Sequence, residues 1–258
     1  KNGVLEAVNP FTIYAQGIIP AATFLTSYPL GMRNPHEFDV FYYGLGGLEI
    51  ARELYAAQGM HFVGPVHHGP NIIHSKVPIR SVDDFVGRKM RMPGGMVAEI
   101  FSELGAETTV LPGSEIFAAL EKGTIDAAEW CCPKPDSVFG FQKVLKHYYL
   151  QGLHQVVVNA DMYVNGDFYD GLSDLEKKAL EVASTASLSK SMSYRIFENG
   201  KALKDLTDNQ GVILEDTPAD YFTEYMAAAK NALQAAADEN EFFAEVWQSQ
   251  KDFADIAV

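Results

Sequence analysis

Three residues could between them hold an organic anion. Arg91 sits at the end of the run Lys89–Met92, and Glu129 and Trp130 end the run Ile125–Trp130. A guanidinium offers parallel N–H donors that fit a carboxylate two-to-two, a geometry an ammonium cannot copy. In an acidic chain the competing use of Arg91 is a surface ion pair. Glu129 and Trp130 are neighbours, and neighbours in a strand point to opposite faces. Both can face one crevice only if the chain bends at the strand end or a backbone carbonyl serves; otherwise they read as a rim glutamate and a core tryptophan.

The elements that must position them are legible. Lys89–Met92 reads as a strand stopped by Pro93–Gly95. Met96–Leu104 carries apolar residues at helical spacing, with Gly105 as its stop. Thr108–Leu111 reads as a strand. Ser114–Lys122 reads as a helix with Ser114 as N-cap and Gly123 just past its end. With Ile125–Trp130 this makes strand–helix–strand–helix–strand, an α/β unit with a parallel sheet. Ligands of such sheets sit beyond the carboxyl ends of the strands, where Arg91, Glu129 and Trp130 lie.

Elsewhere, Leu48–Gln58 is an amphipathic helix, and Met60–Val63 and Ile72–Ser75 are strands around a loop at Gly64–Asn71. Phe24–Pro29 and Gln151–Val158 read as strands and Phe139–Tyr149 as a helix. Ser173 and Glu176 form a capping box opening a helix to about Leu206. Gly211–Glu215 is a strand, and two last helices run from Thr217-Pro218 to about Ala237 and from Glu241 to Ile256.

Several features are weak. The Tyr42–Gly47 stretch resembles a dinucleotide loop, but Glu49 stands where the third glycine belongs and would repel a pyrophosphate. Close packing of the chain explains those glycines better. His61, His67, His68 and His74 match no zinc spacing. Cys131 and Cys132 are adjacent, so a disulfide between them would be strained and they read as free or buried thiols. The formal net charge of −14 disfavours nucleic acid, and an anionic ligand would need a local positive anchor. No GxSxG, no HExxH and no cysteine in a nucleophile context points to catalysis. An α/β enzyme acting on a small carboxylic acid is the rival reading.

The order KMRMPGG (Lys89–Gly95), LPGSEIFAALEKGTIDAAEW (Leu111–Trp130), a proline, then FGF (Phe139–Phe141) resembles the second lobe of the solute-binding proteins of TRAP transporters, nearest their 2-oxo-acid-binding branch. The resemblance runs from about Val8 to the last helices. It implies a two-lobe α/β periplasmic-binding-protein fold with interleaved lobes and long C-terminal helices. Lobe I would take residues 1–66 and about 156–190, and lobe II residues 67–155 and about 210–258, with a long helix near 173–208 spanning both. It also places a further strand–helix–strand segment ahead of Lys1.

The same resemblance implies roles. Arg91 clamps the ligand carboxylate, Tyr43 faces the ligand, and His68 and Asn71 border it from the crossover between lobes. The Glu129 side chain and Trp130 backbone hold a metal ion, and the indole packs on the ligand. The family's further carboxylate falls in Leu153-His154-Gln155, where Gln155 keeps an oxygen but loses a charge. That favours sodium, water or no ion over calcium, with no cofactor required. The implied protein is a periplasmic receptor delivering a 2-oxo or 2-hydroxy monocarboxylate to TRAP membrane permease subunits, and the C-terminal helices could support a homodimer.

Overall fold

The computed structural model describes residues 4–26, 28–29 and 31–256. The expected parallel unit forms around the site. Strand β4 (Lys89–Arg91) lies between β5 (Glu107–Thr109) and β6 (Ala127–Glu129), parallel to both, with Arg91 opposite Thr109 and Ala128. Helices α3 (Gly95–Glu103) and α4 (Gly113–Lys122) are the crossovers. Gly123 closes α4 at φ 74°, a left-handed conformation that glycine adopts without strain. The helix starts at Gly113 rather than Ser114. Pro112, held at φ −56° and ψ 146°, is the N-cap, and Ser114 lies inside the first turn without a capping role.

Three more strands complete a six-stranded sheet of order β5-β4-β6-β3-β7-β9. Strand β3 (Ile73–Ser75) runs antiparallel to β6 and β7 (His147–Tyr149), and β9 (Ile213–Glu215) runs parallel to β7. Met90, Phe85, Ile100, Phe101, Tyr221 and Tyr225 are fully or nearly fully buried and belong to one core. The helix expected over Phe139–Tyr149 is not there. Helix α5 (Pro133–Phe139) ends at Gly140, whose φ of 82° stops it, and a short 3-10 turn (Phe141–Lys143) leads into β7. Phe141 lies in that turn, and Tyr148 and Tyr149 of β7 pack on opposite faces of the sheet.

A second, three-stranded antiparallel sheet has the order β1-β8-β2 (Ala7–Val8, Asn159–Asn165, Met60–His67). Strand β2 continues through Gly64–His67, expected to be loop, because β8 supplies a partner for each step: Gly64 faces Met162 and His67 faces Asn159. The strand expected over Gln151–Val158 starts only at Asn159; the residues before it make turns. No strand forms among the described residues of Phe24–Pro29 either. Pro20–Leu25 is a 3-10 helix begun by its proline, burying Phe24 and Leu25, and Ser27 lies outside the described residues.

Helices α1 (Pro35–Gly44) and α2 (Gly47–Ala56) cover the smaller sheet, where Tyr42, Tyr55 and Phe62 stack. Gly47 permits the α1–α2 approach, since a Cβ there would lie 2.6 Å from the Phe41 ring. After α6 (Gly166–Asp170), the capping box of Ser173 and Glu176 opens α7 (Asp174–Asn209), 36 residues long. Helix α7 packs on β2 of the smaller sheet and on α5, the helix that follows β6 of the larger one. Helix α8 (Ala219–Glu239) packs on α3, whereas α9 (Glu241–Ile256) packs on Pro20–Leu25, a segment the sequence reading gives to the other lobe.

Candidate ligand-binding site

Arg91 is the last residue of β4 and is 1% exposed. Its guanidinium is held on several sides. Nε donates to the Leu111 carbonyl at 3.1 Å, and Nη1 donates to the Glu129 carbonyl at 2.7 Å and to Glu129 Oε1. Nη2 donates to the Tyr14 hydroxyl at 3.1 Å. Below it lies the Trp130 indole, 5.0 Å from Cζ to ring centroid, a cation–π distance. Strand β6 ends at Glu129, so Trp130 is free of the pleat and the chain can turn into α5 at Pro133. That bend presents the Glu129 carboxylate and the Trp130 indole to the same guanidinium.

The indole sits on Gly113, at the start of α4, where a Cβ would lie 2.5 Å from Trp130 Cζ2. Gly113→Ala should therefore push the ring off its seat. The expected result is a ligand affinity lower by about tenfold, the order of one lost aromatic contact, with titration calorimetry as the check.

Asn71 organises the other half of the site. Its Nδ2 lies 2.8 Å from Glu129 Oε2, 2.8 Å from Gln155 Oε1 and 3.0 Å from the Trp130 carbonyl. One amide nitrogen carries two hydrogens, so three oxygens converge on a point that serves two of them. Gln155 Nε2 is buried without a partner, and His154 Nε2 lies 3.5 Å from Glu129 Oε2, too far for a good hydrogen bond. Asn71, Glu129 and Gln155 are all at least nine-tenths buried. Turned the other way round, the Asn71 amide would add a fourth oxygen to the set. Carboxylate, carbonyl and amide oxygens are the donors a hard cation takes. Among the described residues no cluster of three His, Cys, Asp or Glu could hold a metal, so this set has a single charged donor. The donors fit a cation of low charge.

The structure thus brings together Arg91, Glu129, Trp130, Asn71 and Gln155. His68 lies elsewhere on the crossover. Its amide donates to the Val158 carbonyl at 2.7 Å, its ring meets Phe11 edge-on, and its Nδ1 accepts from Arg195 of α7. Burial and the Arg195 charge push its pKa down to about 3, so it is neutral. Tyr43 is about half exposed and lines a 550 Å³ groove with Leu48, Arg52, Val63, Glu181 and Thr185. It does not join the Arg91 cluster. Sequence reasoning missed Tyr14 and the His154 ring. Tyr14 lies in a stretch of weak periodicity and reaches Arg91 across 77 positions. The signal for His154 was its place beside Gln155.

The profile described as bacterial extracellular solute-binding protein, family 7, matches residues 1–240. The chain is 30% identical, over 97% of its length and 68% of the relative's, to a monocarboxylate 2-oxoacid-binding periplasmic protein of Nostoc sp.. Two crystal structures of TRAP periplasmic solute-binding proteins superpose with a TM-score of 0.91 each. One, from Colwellia psychrerythraea with bound calcium and pyruvate, is 29% identical, covering 97% of this chain and 76% of that one. The other, from Pseudoalteromonas atlantica with bound sodium and pyruvate, is 28% identical, covering 99% and 77%. The two-lobe α/β reading holds, the enzyme reading finds no support, and no helix among the described residues is long and apolar enough to cross a membrane. The chain belongs to family 7 of the bacterial extracellular solute-binding proteins and is a periplasmic solute receptor of the TRAP type.

Proposed function

We propose that the receptor captures a small 2-oxo or 2-hydroxy monocarboxylate, of which pyruvate is the simplest, and hands it unchanged to TRAP membrane permease subunits. The observation that carries this reading is the buried guanidinium of Arg91 beside the oxygen cluster on Asn71. A carboxylate would bind Arg91 and the Tyr14 hydroxyl, replacing the internal contact to Glu129. The neighbouring oxo or hydroxy oxygen would lie toward Asn71, Glu129, Gln155 and the Trp130 carbonyl. Both structural relatives named above contain pyruvate and a metal ion, which supports the class.

Charge sets the kind of cation. Arg91 and Glu129 cancel, so a bound carboxylate leaves one uncompensated negative charge in a dry site, which is costly. One positive charge on the four oxygens would bring the sum to zero, and two would overshoot it. Sodium therefore suits this chain better than calcium.

The test is thermal unfolding with 2-oxo acids, 2-hydroxy acids, dicarboxylates and sugar acids, each in sodium, in choline with chelator, or in calcium. Saturating pyruvate should stabilise by roughly 3–4 kcal/mol at a hundred to a thousand times Kd. The effect should be larger in sodium than in choline, and pyruvate should be recovered intact. A cooperative melt that no monocarboxylate moves would overturn the assignment.

A further inference from the structure

The chain has two cysteines, and they are adjacent. Both side chains are buried, at 4% and 3% exposure, and their sulfurs lie 2.9 Å apart. They occupy the bend between β6 and α5, where Cys132 is the extended N-cap of α5. The bend is also the end of the ligand site. The Trp130 carbonyl that approaches Asn71 belongs to the peptide joining Trp130 to Cys131. The Cys131 carbonyl accepts from the Ile72 amide at 2.9 Å, one residue past Asn71, and the Cys132 carbonyl accepts from the Asp136 amide at 3.1 Å.

We propose that Cys131 and Cys132 are a reversible thiol–disulfide pair whose oxidation resets the Trp130–Asn71 side of the ligand site. The periplasm admits disulfides. The oxidant is a low-molecular-weight or protein disulfide of that compartment. Its S–S bond breaks, one S–S bond forms between Cys131 and Cys132, and two thiols of the oxidant leave with the two protons and two electrons.

Lability follows from geometry. Adjacent Cα atoms lie about 3.8 Å apart across a trans peptide, short of the roughly 4.4–6.8 Å that disulfides prefer. A bond formed there is strained, and strained disulfides are the readily reduced, regulatory ones. Closing the ring must turn the Cys131–Cys132 peptide. The contact between the Cys131 carbonyl and the Ile72 amide passes that turn to the Asn71–Ile72 backbone, and the adjoining Trp130–Cys131 peptide carries it to the Trp130 carbonyl that faces Asn71. The pair thus differs from a stabilising cross-link: it closes almost no loop, so it adds little chain-entropy stabilisation.

The first measurement is made on protein exported to the periplasm and equilibrated natively with oxidised, then reduced, glutathione. Each sample is denatured with iodoacetamide and weighed intact. The oxidised sample should carry no adduct and weigh about 2 Da less than the dithiol, and the reduced sample should carry two adducts. This readout is independent of any ligand. The second measurement is Trp130 emission in a Trp247→Phe background, which should change between the two states and stay constant in Cys132→Ser. The third is pyruvate affinity, expected to differ at least about threefold between the states, with Cys132→Ser fixed near the reduced value. Two alkylated thiols after native oxidation would overturn the proposal. So would a disulfide that leaves both Trp130 emission and, where pyruvate binds, its affinity unchanged. Failure of pyruvate to bind either state would count against the ligand assignment alone, and the mass and emission readouts would still decide this one.

Discussion

Arg91→Ala should abolish measurable ligand binding and also weaken the fold. Two effects coincide because Arg91 is both anchor and counter-ion. Removing a buried, hydrogen-bonded partner of a charge pair costs binding of the order of 2–5 kcal/mol, roughly thirtyfold to several thousandfold in Kd. In the ligand-free protein the Glu129 carboxylate, which is fully buried, would lose the guanidinium that faces it. Breaking a buried pair from one side costs about 3–5 kcal/mol. Two further variants separate the roles. Arg91→Lys keeps a positive charge but cannot donate along parallel lines, so it should fold better than the alanine variant and still bind poorly. Arg91→Ala with Glu129→Gln removes both charges, and it should recover stability without recovering affinity. Urea midpoints and calorimetric titration with pyruvate read the two quantities. If Arg91→Ala bound pyruvate within threefold of the parent, the guanidinium would not be the carboxylate anchor.

The second large effect lies outside the ligand site. Asp161 is fully buried in β8, and its Oδ2 accepts from the Tyr55 hydroxyl at 2.7 Å while Oδ1 has no partner. Burial pushes its pKa up from 3.8 to about 7, and the hydrogen bond from Tyr55, with Thr12 and His67 nearby, holds it from rising further. The folded state therefore binds this proton more tightly than the unfolded chain. Its stabilising contribution is complete below about pH 4 and is lost as pH rises to about 7. Above that the ionised group costs up to roughly 4 kcal/mol. Asp161→Asn keeps an oxygen for Tyr55 and never ionises. It should raise stability at pH 8 by about 1–3 kcal/mol and change it little at pH 4.5. His68 works the other way: its pKa is lowered to about 3, so its contribution is present above about pH 6.5 and lost as pH falls. The difference between variant and parent isolates Asp161, because His68 is common to both. A stability difference that does not grow between pH 4.5 and 8 would refute the assignment.

Local rules carried much of the architecture. Ser173 with Glu176 marked the start of the longest helix, and Gly123 marked the end of α4, because caps and left-handed turns are written in a few neighbouring residues. Arg91 was placed at a strand end for the same reason. The failures share a different cause. Gly64–His67 looks like loop until β8 offers a partner, and Phe139–Tyr149 looks helical until β3 and β9 claim its last residues. Such pairing depends on chain far away, which periodicity cannot register. The site divides along the same line. Arg91, Glu129 and Trp130 follow from one compact unit, whereas Tyr14 reaches Arg91 only through the fold. Tyr43 went the opposite way, placed by family position and found at a separate groove.

Helix α7 has a mechanical consequence. At the usual rise its length is about 54 Å. Arg52 ties it to the α2 side through Glu181, with nitrogen and oxygen 3.1 Å apart, and the Asn199 side chain accepts from the Lys134 amide of α5 at 3.0 Å. Between those ties Arg195 rests on His68, beside the chain crossing. The helix is thus tied at one end to the side of the smaller sheet and at the other to α5, and parting those two sides would require it to flex or one of its ends to unzip. Unzipping is the softer mode, since only Ser184, Leu188 and Leu206 along its length are buried. A stiff rod and a weak adhesive seam are combined in one element, so in any opening of the two sides the seam would set its ease and the rod its direction.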